Sequence, residues 1–270
     1  MPELPEVETT RRSLVPHVVG ARVTSVIVRE RRLRRPLARE FETRLAGRTI
    51  AAIERRGKYL LFGLDDGATL LVHLGMSGSL TLLPAATPLA VHDHVAIGFD
   101  RGVAMVFNDP RRFGLMRVGR GEDFAELRNV GRDPLGSAMS ADDLRALTRG
   151  RRLPIKNLLM DQRRLGGVGN IYASEMLFRA GIRPRRRAAT LTRAELARLA
   201  DALRAVLERA VELGGSSISD YRDANGNPGY FQIHHSVYDR AGQPCVTCAT
   251  PIKRLVMSGR SSFYCPRCQR

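Results

Sequence analysis

The sequence predicts an α+β protein: a β-sandwich preceded by one helix, then a helical region closed by a four-cysteine finger. Three observations predict it. Short stretches of alternating residues, separated by Gly and Asp turns, fill the chain as far as Val118. Beyond residue 140 the apolar residues recur at helical spacing, and all four cysteines fall between 245 and 268.

Taken in order, the segment from Glu6 to Val19 reads as a helix, with Val7, Leu14 and Val18 on one face and Gly20 as its stop. Strands are predicted over 22–28, 49–53, 59–64, 69–74, 94–100, 103–107 and 115–118. The alternation is cleanest at Val95, Ile97 and Phe99, before an Asp100-Arg-Gly102 turn. This first domain is expected to span 1–131, with Gly131-Arg-Asp-Pro-Leu-Gly136 as a hinge. Helices are expected over 144–148, capped by Ser140, and over 155–162 and 170–180 with a Gly-rich connection. Thr192-Arg-Ala-Glu195 is a capping box that opens a helix with Leu196, Leu199, Leu203, Val206, Leu207 and Ala210 on one face. Gly214-Gly215 ends it. The helical domain is expected over 132–240 and the cysteine finger over 241–270.

The composition constrains partners more than fold. The 270 residues suffice for two cored domains and carry 44 Lys and Arg against 27 Asp and Glu, a net charge of +17. A chain this basic suits polyanions, nucleic acid above all, although an arginine-favouring composition contributes. Only Lys58, Lys156 and Lys253 are lysines, which marks each for a role that needs a compact ammonium. No apolar run reaches membrane-spanning length and no basic leader precedes one, so a soluble, cytoplasmic protein with no membrane contact is expected.

Four stretches carry chemistry. Cys245-x2-Cys248 and Cys265-x2-Cys268 have the ribbon spacing that supplies four thiolates for a structural zinc, with a redox pair as the alternative. Arg260, at a hairpin turn between the knuckles, is either a phosphate clamp or a solvated turn residue. Gly166, Gly167 and Gly169 before Asn170, with Lys156 upstream, form either a backbone approach to phosphate or a tight helix connection. Asp109-Pro-Arg-Arg-Phe-Gly114 offers an aromatic wedge and arginines for an orphaned base, and Met76 sits between glycines on a second turn. Pro2, once Met1 is removed, is a secondary α-amine with a pKa near 8, so roughly a tenth is unprotonated at neutral pH. Glu3 and Glu6 flank it as proton donor and orienting group, although the same residues also suit a plain helix start.

In this order, Pro2-Glu-Leu-Pro-Glu-Val-Glu8, Gly57-Lys-Tyr59, His73-Leu-Gly-Met-Ser-Gly78, the Asp109–Gly114 loop, Asp161 through Glu175 and the terminal cysteines resemble the formamidopyrimidine-DNA glycosylase (MutM) family along the whole chain. The resemblance implies a β-sandwich domain hinged to a helix-two-turn-helix domain with a zinc finger, and DNA lying across the cleft. It implies a monomeric bifunctional glycosylase/AP lyase excising 8-oxoguanine and formamidopyrimidines from double-stranded DNA, with one structural zinc. Pro2 and Glu3 would be catalytic, with Glu6 in support and Lys58 and Arg260 completing the set. His73, Met76, His92, Arg111, Arg112, Phe113, Lys156, Asn170 and Arg260 would contact DNA. Ser217, Ile218 and Tyr221 would belong to a loop over the flipped purine. Two alternatives stand beside it. Endonuclease VIII relatives remove oxidised pyrimidines but start Pro-Glu-Gly-Pro-Glu, where this chain has Leu4, and usually lack the long loop. The other is a damage-binding zinc protein without catalysis.

Overall fold

Strands Val23–Val28 (β1), Asp93–Phe99 (β6), Val103–Asn108 (β7) and Ser79–Pro84 (β5) pair in that order as one antiparallel sheet. Ile50–Arg56 (β2), Tyr59–Leu64 (β3), Thr69–His73 (β4) and Leu115–Gly119 (β8) pair in that order as a second. The two sheets face one another. Val95, Ile97, Phe99, Met105 and Phe107 of the first meet Leu60, Phe62, Leu70, Val72 and Met116 of the second in one apolar cluster. Val7, Leu14 and Val18 of the N-terminal helix, α1 (Leu4–Val18), enter the same cluster. This is a β-sandwich, as the alternation predicts. Strand β6 is buried at all seven positions. Its alternate Ala96 packs with Ala104 and Val106 on the outer face, against partly buried Leu83 and Leu89.

The structure, a computed structural model, describes residues 1–136, 139–217 and 221–270 and resolves into two compact units. The sandwich unit comprises Met1–Arg128 together with Leu213–Tyr230. The second unit comprises Asn129–Glu212 and Phe231–Arg270. Its helices are α3 (Ala141–Thr148), α4 (Ile155–Leu159), α5 (Asn170–Ala180) and α6 (Arg193–Glu212), and its finger carries the hairpin β9 (Lys253–Met257) and β10 (Arg260–Tyr264). Helices α5 and α6 pack together, and Tyr172, Met176, Leu177, Leu199, Leu203 and Leu207 on them are fully buried.

Helix starts follow the expected caps. Ser140 Oγ accepts the Asp143 N–H at 3.1 Å while the Asp143 carboxylate accepts the Ser140 N–H at 3.0 Å. Thr192 and Glu195 exchange the same pair of bonds at 3.2 and 2.8 Å. Each box satisfies helix-end N–H groups that otherwise lack partners.

Several expectations need correction. Strand β5 was not foreseen because only Leu80 of its six residues is fully buried, as suits a sheet edge that pairs with β7 alone. The five-residue helix α2 (Phe41–Leu45) is too short to show periodicity, although Phe41 and Leu45 both reach the core. Helix α1 begins at Leu4, and Pro16 sits inside its last turn without ending it. Helix α4 stops at Leu159 rather than Gln162, because Asp161 Oδ1 accepts the Arg163 N–H at 3.0 Å and turns the chain. The 131–136 segment opens the second unit, which begins at Asn129, and pairs within it. Gly131 N–H and Arg132 N–H donate to the carbonyls of Gln162 and Arg164 at 2.8 and 3.1 Å. Segment Leu213–Tyr230, assigned by sequence to the helical domain, packs with the sandwich, where Leu82 N–H donates to the Ala224 carbonyl at 2.7 Å.

Candidate active site

The first turn of α1 is built around Glu6. Pro2 is buried, and Glu3 and Glu6 are 3% and 2% exposed. Pro5 suits a first helical turn because its missing N–H would have no intrahelical partner there. The Glu6 carboxylate is held from two directions: Oε2 accepts the Glu3 N–H at 2.8 Å and Oε1 accepts the Ser216 N–H at 2.7 Å. Tyr221 donates its hydroxyl to the Glu6 carbonyl at 2.8 Å, and Thr10 donates to the same oxygen at 2.9 Å. Gly215 permits this approach. Its φ is +81°, and a Cβ there would lie 2.7 Å from Glu6 Oε1.

Lys58 occupies the turn between β2 and β3 and is 7% exposed. Across the sheet His73 pairs with Tyr59, and the two rings lie 4.7 Å apart. His73 Nδ1 accepts the Gly75 N–H at 2.9 Å. Burial, then the nearby charges of Lys58 and Arg34, hold the imidazole down to about 4. His73 is therefore neutral at neutral pH, with its proton on Nε2, and offers an outside ligand a hydrogen-bond donor rather than a cation.

One buried carboxylate organises two exposed turns. Asp109, fully buried, accepts Ser77 Oγ at 2.9 Å on Oδ1 and the Gly114 N–H at 2.7 Å on Oδ2. Gly75 lets the turns touch, since a Cβ there would stand 2.5 Å from the Phe113 and Gly114 backbone. Met76 and Phe113, one on each turn, both protrude, 42% and 44% exposed. The two loop arginines differ. The Arg111 guanidinium lies 4.9 Å from the centre of the Phe113 ring, whereas Arg112 pairs with Glu30 at 3.2 Å. His92 is exposed, and its carbonyl accepts the Asp109 N–H at 3.0 Å.

In the second unit a cavity of about 300 Å³ is lined by Lys156, Asn170, Arg260 and Ser262 among others. Asn170 Nδ2 donates to the Ser261 carbonyl at 3.0 Å, and Lys156 Nζ donates to Ser262 Oγ at 2.8 Å. Both side chains thus grip the hairpin strand that Arg260 begins. Gly169 is the N-cap of α5, and Asn170 is its first residue. The glycines are less open than their sequence suggested: Gly166 N–H is taken by the Arg132 carbonyl at 2.8 Å and Gly167 N–H by Gln162 Oε1 at 2.8 Å.

The four cysteines converge. Their sulfurs lie within 4.8 Å of one another, with Cys245–Cys268 at 3.8 Å and Cys248–Cys265 at 3.5 Å. A tetrahedron of thiolates about 2.3 Å from a metal has edges of about 3.8 Å, so the donor set fits. Sulfurs this far apart are not disulfides.

Three family patterns match the chain: the formamidopyrimidine-DNA glycosylase N-terminal domain over 1–116, its H2TH domain over 130–222, and a zinc finger found in FPG and IleRS over 242–270. Formamidopyrimidine-DNA glycosylase of Thiobacillus denitrificans is 52% identical over all of both chains, and that of Syntrophotalea carbinolica 50%. The chain belongs to the formamidopyrimidine-DNA glycosylase family. Solved structures of the family superpose throughout. MutM (FPG) of Thermus thermophilus matches with a TM-score of 0.88 at 44% identity, covering 99% of this chain and 98% of that one. A Lactococcus lactis FPG mutant in complex with a Fapy-dG containing DNA matches with a TM-score of 0.91 at 32% identity, covering all of both chains.

Within this formamidopyrimidine-DNA glycosylase fold, Pro2, Glu3, Glu6, Lys58, His73, Met76, His92, Arg111, Arg112 and Phe113 all fall in the sandwich unit. Lys156, Asn170, Arg260 and the cysteines fall in the second. Lys156 is 1% exposed, so any ligand reaches it through the cavity. In the 215–230 segment, Ser217 Oγ donates to the Tyr221 carbonyl at 2.7 Å and Tyr221 holds Glu6; Ile218 lies outside the described residues. Sequence reading missed Ser216, whose role is played by its backbone N–H and so carries no side-chain signal. It also missed Glu175, whose buried carboxylate accepts the N–H groups of Ser236, Val237 and Tyr238 at 2.8 to 3.0 Å.

Proposed function

We propose that this chain is a bifunctional DNA glycosylase/AP lyase of base excision repair, excising oxidised purines from duplex DNA as a monomer. The observation that supports it most is the buried first turn of α1, where Glu6 is fixed between two backbone N–H groups beside Glu3. Removal of Met1 frees the Pro2 amine. Its lone pair forms a bond to C1′ of the lesion nucleotide as the C1′–N bond breaks, and the base departs with that electron pair and takes up the proton that the Pro2 nitrogen sheds. Glu3 gives a proton to O4′ as the sugar ring opens, leaving an iminium on Pro2. A secondary amine makes this iminium cationic without further protonation. Loss of a C2′ proton then expels the 3′ phosphate, and a second elimination expels the 5′ phosphate.

The other residues hold the substrate. Lys58 and the Nε2–H of His73 contact phosphates from the sandwich. Asn170 and Arg260 do so from the cavity of the second unit, where Lys156 holds the hairpin. Met76, Arg111 and Phe113 fill the space left by the extruded nucleotide, whose unstacking costs a few kcal/mol. His92 and Arg112 add backbone contacts, Arg112 after release from Glu30. Ser217 and Tyr221 shape the loop over the base. Zinc on Cys245, Cys248, Cys265 and Cys268 fastens the finger, with no open coordination position for chemistry. Free thiols reserved for a metal suit the reducing cytoplasm. Borohydride trapping tests this reading. A covalent adduct should form with a duplex carrying 8-oxoguanine and weakly or not at all with one carrying an oxidised pyrimidine. No adduct would leave a binding protein, and the reverse preference an endonuclease VIII-like enzyme.

A further inference from the structure

We propose that Arg55 is a positioning residue, its guanidinium tying α1 to the β2–β3 turn and so setting where Lys58 stands relative to the N-terminal helix. The inference rests on the functional reading of Pro2 and Lys58 given above. Its observations lie elsewhere. Glu8, on α1 and 5% exposed, accepts Arg55 Nε at 3.0 Å, Arg11 Nε and Nη2 at 3.1 and 2.9 Å, and Arg12 Nε at 2.9 Å. The Arg55 side chain is itself 6% exposed, and its Nη1 donates to the Gly57 carbonyl at 3.2 Å. That carbonyl belongs to the peptide bond leading into Lys58. One planar group therefore grips the helix with one nitrogen and the Lys58 turn with another. A second strut runs parallel, since Arg11 Nη1 donates to the Ile53 carbonyl at 3.2 Å.

Charge alone does not require this arrangement. Burial opposes ionisation of Glu8, but hydrogen bonds from Arg11, Arg12 and Arg55 outweigh it and bring the carboxyl down to about 2. Arg11 and Arg12 already supply more than the one compensating charge the carboxylate needs. A buried ion pair is in general no better for stability than apolar packing of the same shape. What Arg55 adds is geometry. The turn has two residues, Gly57 and Lys58, between the paired Arg56 and Tyr59, so the Gly57 carbonyl cannot move without moving Lys58. Lysine cannot substitute, because an ammonium concentrates its donors on one nitrogen at the end of a flexible stem.

The test compares Arg55→Lys with Arg12→Ala in the full, zinc-loaded chain. Arg12 touches the same carboxylate without reaching β2 or β3. The readouts are single-turnover excision of 8-oxoguanine, Kd for a duplex with an uncleavable tetrahydrofuran abasic analogue, and Tm. Arg55→Lys should keep its Tm and its Kd within about threefold, yet lose about tenfold or more in excision rate, since misplacement by an ångström costs up to about a hundredfold. Arg12→Ala should excise at the wild-type rate. If Arg55→Lys melts early, Glu8→Gln, which removes the charge but keeps an acceptor for Arg55, should excise within about threefold of the wild-type rate, and a loss of about tenfold or more there would overturn the proposal in favour of charge balance. Wild-type rates in both variants overturn the proposal, as does an equal loss in Arg12→Ala, which would reduce the network to charge balance. Failure of the wild type itself to excise overturns the functional reading and this inference with it.

Discussion

Individual side chains set the chemistry and its pH range. Pro2→Gly replaces a secondary amine by a primary one that forms a less electrophilic imine and lacks the ring that fills a buried site. Base release and strand cleavage should each fall at least about tenfold, equivalent to 1.4 kcal/mol of barrier; unaltered cleavage would contradict the nucleophile assignment. His73 and His235 carry a second prediction. Burial first, then the Lys58 and Arg34 charges, depress His73 to about 4, and burial likewise depresses His235 to about 4. An unfolded histidine binds its proton near 6.5 and the folded one does not until about 4. Stability is therefore complete above pH 6.5 and declines as pH falls towards 4, by on the order of 2–3 kcal/mol per residue. Denaturant titrations at pH 7 and pH 4.5 should show His73→Gln losing less on acidification than wild type, and an equal loss would refute the assignment.

At the scale of elements, caps and knuckles decide whether a segment holds. The Ser140–Asp143 box should contribute about 1 kcal/mol, read as a lower melting midpoint in Ser140→Ala. Cys245→Ala should unfold the finger hairpin and with it the strand that Lys156 and Asn170 grip. Loss of zinc by chelation should weaken duplex binding in step with that unfolding, and unchanged affinity of the metal-free protein would count against it. The same elements show what periodicity can reveal. Strand β6 was legible because large Val95, Ile97 and Phe99 alternate with small Ala96 and Gly98, and helix α6 because its buried residues recur at helical spacing. Strand β5 and helix α2 were not, because the first lies at an edge with a single fully buried residue and the second spans barely more than a turn. In the site, motif residues were legible by type, but their burial was not. Lysine normally sits in water, so nothing in the sequence marked Lys156 as 1% exposed. Backbone donors such as the Ser216 N–H leave no trace in residue identity.

For the molecule as a whole, a net charge of +17 makes association with DNA dependent on counterion release. A log–log plot of affinity against salt should be linear, with a slope of about −0.9 for each phosphate neutralised on duplex DNA. Arg260→Ala should flatten that slope by about one unit, whereas Phe113→Ala should leave it unchanged and slow extrusion of the base. A slope near zero would remove the phosphate contacts from the mechanism. The sandwich unit is also discontinuous, closed by Leu213–Tyr230 after the intervening helices have been traversed.

That discontinuity has a consequence for biosynthesis. The amine at the start of the chain leaves the ribosome first, but the N–H that fixes Glu6 belongs to Ser216, 210 positions later. At about 5–20 residues per second the interval is roughly ten to forty seconds. In the mechanism proposed above, a nascent chain then carries Pro2 without the Glu6 carboxylate in place, and competence to cut DNA should arrive only when translation has nearly finished.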